Sequence, residues 1–226
     1  MKKRRLLTIG LILILIFSQN TVAFASKKNK KHKNECKGII LIDPGHGGID
    51  GGAKSENGTI EKNINLSISK KLKKALKKDG YKVYLTRSKD KELSKRKVED
   101  LDGRCKMKEE TKCDIFISIH QNKFGNKRCY GAQVWYASND KSAKAAKYIQ
   151  ESLKETINDG NKRLAKEAKT EYRILRDGYK GASLIVECGF LSNYEEEQKL
   201  KSNKHQQEIV KGIELGINRY FENKGK

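Results

Sequence analysis

A chain of 226 residues with 36% hydrophobic side chains is long enough for one domain with a sizeable core, and no internal repeat or Pro/Gly/Ser-rich linker divides it. Its formal net charge of +22 suits attraction to an anionic polymer, but the lysines are scattered over helices and loops without an aromatic–basic recognition motif, which argues against specific nucleic-acid binding. The five cysteines show no C-x-x-C spacing, which argues against a cysteine zinc site. Cys113 and Cys188 sit in apolar runs and read as small core residues, and a Cys105–Cys129 disulfide stays open.

The chain starts Met1-Lys2-Lys3-Arg4-Arg5, continues with an apolar stretch from Leu6 to Phe17, and then reaches Ala23-Phe24-Ala25. A basic start, an apolar middle and a small-residue exit define a secretory signal peptide, placed over 1–25 with cleavage after Ala25. Its apolar core is shorter than the roughly 20 residues of a membrane-spanning helix, so no stable span is expected after cleavage. Residues 26–35 hold the densest charge run, Lys27-Lys28-Asn29-Lys30-Lys31-His32-Lys33, and read as a flexible basic segment ahead of a domain over 36–226. Outside a cell membrane, the polyanion within reach is a bacterial wall.

Gly38-Ile39-Ile40-Leu41-Ile42 reads as a buried strand. From Glu61 to Lys78, apolar residues at Ile64, Ile68, Leu72, Ala75 and Leu76 line one helical face, with Thr59 as the expected N-cap and Asp79-Gly80 as the stop. Residues 81–86 alternate as a half-buried strand, and 91–111 carry a helical pattern that Gly103 weakens. Strands are expected at 114–119, 131–136 and 183–187, with a further short one at 173–176; helices are expected at 141–157 and 204–220. Strands alternating with helices give an α/β domain: a largely parallel, twisted sheet of about six strands with helices on both faces.

The first strand runs into Asp43-Pro44-Gly45-His46-Gly47-Gly48, where the chain's only proline stops it and the glycines let the backbone turn. His46 is thus presented at a carboxyl strand end, the edge on which open α/β sheets bind ligands. The strand 114–119 leads into His120-Gln121-Asn122, and 183–187 ends on Glu187. Glu61 opens the first long helix. A single strand-end histidine is ordinarily a loop residue, and an acid at a helix start is favoured by the dipole alone. An ionised glutamate closing an apolar run needs a partner, however, and parallel strands would gather all four groups on one edge.

Two imidazoles and one carboxylate form a catalytic zinc site with a fourth position open, so His46, Glu61 and His120 are the expected Zn2+ ligands. Glu187 is left as the catalytic general base that becomes a general acid, and the expected reaction is amide hydrolysis. A phosphate cradle fails on the same loop: Ala53 stands where a P-loop needs Lys, and Asp50 takes the third glycine position of a dinucleotide fingerprint.

At these residues the chain resembles the zinc-dependent N-acetylmuramoyl-L-alanine amidases of the amidase-3 family. Asp43-Pro44-Gly45-His46-Gly47-Gly48, Glu61, Ser118-Ile119-His120-Gln121-Asn122 and Val186-Glu187-Cys188-Gly189-Phe190-Leu191-Ser192-Asn193 match its blocks in order, over about Ile39 to Phe221. The resemblance implies zinc on His46, Glu61 and His120, catalysis by Glu187, and a peptidoglycan substrate cut between the lactyl group of N-acetylmuramic acid and L-alanine. A compact domain with Gly131-Ala132-Gln133-Val134-Trp135-Tyr136 after the second histidine is most similar to the family's germination-specific, spore-cortex branch. That branch strips stem peptides so that muramic-δ-lactam can form, and it implies an exported enzyme in the wall or the forespore intermembrane space. The lack of a targeting module suggests a protein partner that localises or activates it. The rival reading is a catalytically inactive wall-binding or regulatory protein.

Overall fold

Period-two alternation along the strands divides their side chains between two cores. In β1 (Ile39–Pro44), Ile40 and Ile42 turn to one side and Leu41 to the other, all fully buried. The computed structural model describes residues 36–223, so the leader expected over 1–25 and the basic segment over 26–35 lie outside the described residues. After β1 come α1 (Glu61–Lys78), β2 (Lys82–Leu85), α2 (Lys97–Thr111), β3 (Ile115–Asn122), β4 (Gln133–Tyr136), α3 (Asp140–Ile157), β5 (Lys166–Glu167), a 3-10 turn (Arg173–Leu175), β6 (Ala182–Phe190), α4 (Tyr194–Lys201) and α5 (Asn203–Glu222).

The six strands form one sheet in the order β2-β1-β3-β6-β4-β5. The pairs β1/β2, β1/β3, β3/β6 and β4/β5 are parallel, and β4 runs antiparallel to β6. The expected largely parallel α/β sheet of about six strands is therefore present. The larger core joins Ile40, Ile42, Ile115, Ile117, Ile119, Leu184 and Val186 to the apolar faces of α1, α3 and α5. The smaller one joins Leu41, Phe116, Trp135 and Ile185 to residues of α2 and of the 3-10 turn. Both faces are covered, as near-continuous apolar strands require. Cys113 and Cys188 are buried, and Cys105 and Cys129 are both free thiols, so the open disulfide is not formed.

Three local expectations change, and one helix was not expected. Residues 173–176 do not pair as a strand. Ile174 and Leu175 are buried in the smaller core from a 3-10 turn, and the strand of that region is the two-residue β5 upstream. The second helix starts at Lys97 rather than near 91. The helix cap expected at Thr59 falls on Ile60, which makes no side-chain cap bond, because the Thr59 hydroxyl is engaged by Glu197. Finally, α4 carries one buried apolar residue, Leu200, in eight, too few to show a helical period. Among the described residues no helix is long and apolar enough to cross a membrane.

Candidate metal centre

The strand order fixes where a site can form. From β1 the chain moves to one neighbour, β2, and then crosses back to the other, β3, so the order reverses between β1 and β3. A crevice opens outside the carboxyl ends of strands at such a switch point. His46 leaves β1 there, and His120 lies in the last turns of β3, which extends through the expected strand end to Asn122. Glu187 is the register partner of His120 in the adjacent parallel strand, so the two side chains stand side by side on one face. It too lies within its strand, which continues to Phe190.

These groups meet. One ligand atom from each of His46, Glu61 and His120 lies within 4.8 Å of the others. His46 Nε2 is 3.2 Å from Glu61 Oε2, and His120 Nδ1 is 2.8 Å from Glu61 Oε1. The imidazoles are edge-to-face with centroids 4.9 Å apart. Two imidazole nitrogens are therefore crowded onto a carboxylate that is only 3% exposed.

Each donor is held by the backbone around it. His46 sits at φ 62°, in the left-handed region that costs a residue bearing Cβ. Its Nδ1 is fixed by Asp50 Oδ2 at 2.9 Å, which leaves Nε2 facing the cluster. Burial alone would raise Asp50, but the His46 contact and the Gly52 amide outweigh it and bring the carboxyl down to about 2. Glu61 Oε2 accepts from the Ala53 amide at 2.7 Å, and Oε1 from the Gln121 amide at 3.0 Å and from Asn65 Nδ2. Burial would raise this carboxyl as well; the two histidines hold it well below the usual carboxylate range. Burial works against charge on His120, yet its contact with Glu61 lifts it above the ordinary value. Gly45 leaves room for that ring: a Cβ there would lie 2.3 Å from His120 Cε1 and Nε2.

Glu187 is different. It is 8% exposed, its Oε2 has no hydrogen-bond partner, and burial pushes its carboxyl up to about 7. Glu187 thus keeps an orphaned buried carboxylate oxygen beside two imidazoles.

A buried polar network lies under the loop, and its two arginines, Arg87 and Arg104, were not singled out in the sequence. Asp43 accepts from Thr86 Oγ1, Ser118 Oγ and Arg104 Nη1, each at 2.6 Å. Arg104 also donates to the carbonyls of Pro44 and His46, while Arg87 donates to those of Pro44, Gly45 and Lys62. Two guanidiniums thus satisfy three consecutive carbonyls of the loop that presents His46. Burial raises Asp43, but Arg104 and the two hydroxyls more than reverse this and leave it below its ordinary 3.8. A lowered carboxyl stabilises the fold above its unfolded value, and that contribution is lost as pH falls through the folded value. Asp43→Asn is expected to cost about 3–5 kcal/mol at neutral pH by removing the more deeply buried of the two carboxylates, Asp43 and Asp100, that pair with buried Arg104. Urea unfolding at several pH values should show this difference shrinking on acidification below 3.8; a constant difference would contradict the charge argument.

A class and then a family follow from comparison with known proteins. Residues 40–219 match the family model described as N-acetylmuramoyl-L-alanine amidase, whose members are amide hydrolases. The chain belongs to this Amidase_3 family, as its four sequence blocks suggested. It is 36% identical over 196 residues to the germination-specific N-acetylmuramoyl-L-alanine amidase of Bacillus subtilis (strain 168), covering 83% of this chain and 81% of that protein. It is 35% identical over 196 residues to the probable cell wall amidase LytH of Staphylococcus epidermidis, covering 83% of this chain and 60% of LytH's length. The fold is similar to the CwlD amidase of Clostridioides difficile, solved in complex with the GerS lipoprotein, with a TM-score of 0.78, 35% identity, and coverage of 82% and 98%.

Proposed function

We propose that this chain is a zinc-dependent hydrolase of peptidoglycan that cuts the amide between the lactyl group of N-acetylmuramic acid and the L-alanine of the stem peptide. The observation that carries the reading is the convergence of His46 Nε2, Glu61 and His120 Nδ1 beside the unpartnered Glu187 Oε2. Two imidazole nitrogens and a carboxylate oxygen are a donor set that suits Zn2+ and leaves room for water or substrate. When bound, zinc would polarise the scissile carbonyl and bring water closer to ionisation at neutral pH.

The protein's own part is positioning and proton transfer. Glu61, fixed by the Ala53 and Gln121 amides, supplies the negative charge that makes the cluster attractive to a dication. Asp50 sets the His46 tautomer. Glu187 would take a proton from the attacking water and pass it to the alanine nitrogen as the carbon–nitrogen bond breaks. Burial sets the Glu187 carboxyl at about 7, where it can both take a proton and return one near neutral pH.

The similarity to a germination-specific amidase supports spore cortex as the site of action, with muramic-δ-lactam formed after peptide removal. Export through the leader at 1–25 would bring the enzyme to that compartment. The CwlD neighbour's complex supports a lipoprotein as the kind of partner that localises or activates it. Treatment with a strong chelator should abolish release of L-alanine-terminated stem peptides from purified sacculi, and added zinc should restore it, as read by product mass spectrometry. Hydrolysis that continues at full rate without metal would end the zinc reading. Sacculus binding with no released peptide, zinc supplied, would favour the inactive wall-binding alternative.

A further inference from the structure

Helix α4 opens with three consecutive acids, Glu195, Glu196 and Glu197, after the Asn193 cap. Acids in a first turn are favoured by the helix dipole and usually face solvent. Glu195 does; Glu196 and Glu197 are 4% and 1% exposed. Burying two carboxylates side by side is costly unless each is fully engaged, and their partners lie on the two loops that flank the candidate site. Glu196 accepts from the amides of Gly131 and Phe190, both at 2.9 Å, and so fastens the end of β6 beyond Glu187.

Glu197 reaches across to the loop before α1. Its Oε1 accepts from Ser55 Oγ at 2.8 Å and from the Thr59 hydroxyl, and its Oε2 from Asn57 Nδ2 at 2.7 Å. That loop is a closed ring. Ser55 N–H donates to the Thr59 carbonyl, Glu61 N–H donates to the Ala53 carbonyl, and Ala53 N–H donates to Glu61 Oε2. The buried anchor of the ring is therefore the Glu197 carboxylate, beside exposed contacts from Lys127 to Glu56 and from Lys123 to the Lys54 carbonyl, and the base of the ring orients the Glu61 side chain.

We propose that Glu197 is a positioning residue for the metal centre, holding the 53–60 loop so that the Ala53 amide fixes the Glu61 carboxylate. Through α4 it ties Glu61 to the strand that carries Glu187, so the proposed ligand and the proposed base are set by one short helix. The inference rests on the zinc reading for its first test and is independent of it for its second.

The test compares Glu197→Gln with the wild-type chain and with Glu195→Gln, which changes the same charge on the exposed neighbour. In Glu197→Gln the negative charge is lost and one of the two acceptor oxygens becomes an N–H donor, so the three charge-assisted bonds are weakened or rearranged while the side-chain shape is kept. Zinc affinity, measured by chelator competition, should fall about 10–100-fold, the scale seen when a metal ligand loses its outer hydrogen-bond partner. Glu195→Gln should leave it unchanged. In the metal-free chain, hydrogen exchange at the Ala53 amide should speed up in Glu197→Gln while amides in β1 and β3 keep their protection. Where Glu197→Gln does not fold, Thr59→Val removes one donor and carries both readouts.

Wild-type exchange at Ala53 in the variant overturns the proposal, as does an equal loss of zinc affinity in Glu195→Gln. If the wild-type chain itself binds no zinc, the metal reading fails, and the exchange result still decides the role of Glu197.

Discussion

Glu187→Gln is expected to slow release of stem peptides by at least the about 10²–10⁴-fold that positioned acid–base groups contribute, while the variant binds zinc as the parent does. Glutamine has the same shape but can neither take a proton from water nor return one to a leaving amine. Glu187 is set apart from the three donors: its Oε2 makes no hydrogen bond, and its nearest claims on the cluster are charge interactions with His120, Glu61 and His46. Removing a buried carboxyl that sits near neutrality also removes a desolvation penalty, so the variant should melt no lower than the parent and could melt higher. Single-turnover kinetics on purified peptidoglycan, beside metal analysis and a melting curve, checks all three outcomes. A variant that turns over at the parent rate would remove Glu187 from the chemistry.

His46→Ala should behave in the opposite sense, losing metal first and turnover as a result. The imidazole is one of three donors at the cluster, and its loss should weaken zinc binding by more than the about 10–100-fold caused by losing an outer partner. The substitution relieves the left-handed strain of a side chain at φ 62° only slightly, since alanine also carries a Cβ. It strands Asp50, which loses the contact that lowers its carboxyl and keeps the Gly52 amide and Lys97. The fold, anchored by Arg87 and Arg104 on the loop carbonyls, should remain. Metal content after dialysis, with circular dichroism as the control for folding, reads the result. Full zinc content in His46→Ala would remove this residue from the ligand set.

The four central residues were legible because each breaks a pattern. His46 follows a strand halted by the only proline, His120 and Glu187 interrupt apolar runs, and Glu61 starts a strongly periodic helix. Their convergence followed from parallel β1, β3 and β6, which the alternation of strands and helices implied. What stayed hidden has no local signature. Arg87 and Arg104 are two cations among 50 lysines and arginines, and only the tertiary fold puts them beneath the loop. Thr59 looks like a helix cap because hydroxyls favour that position, and its actual partner, Glu197, lies in a distant helix. Glu196 and Glu197 look like ordinary first-turn acids for the same reason. The 173–176 stretch holds two adjacent apolar residues, Ile174 and Leu175, that both pack inward, which a strand does not allow.

The seat of His120 on bare backbone limits how this loop can vary. An alanine at position 45 would push one methyl into the imidazole, while at the outer tip Gly58 has open space around it but sits at φ 87°, which a residue bearing Cβ rarely adopts. Packing therefore closes the floor of the crevice to larger residues and backbone conformation closes the tip of the 53–60 loop, so changes aimed at new specificity belong at neither glycine.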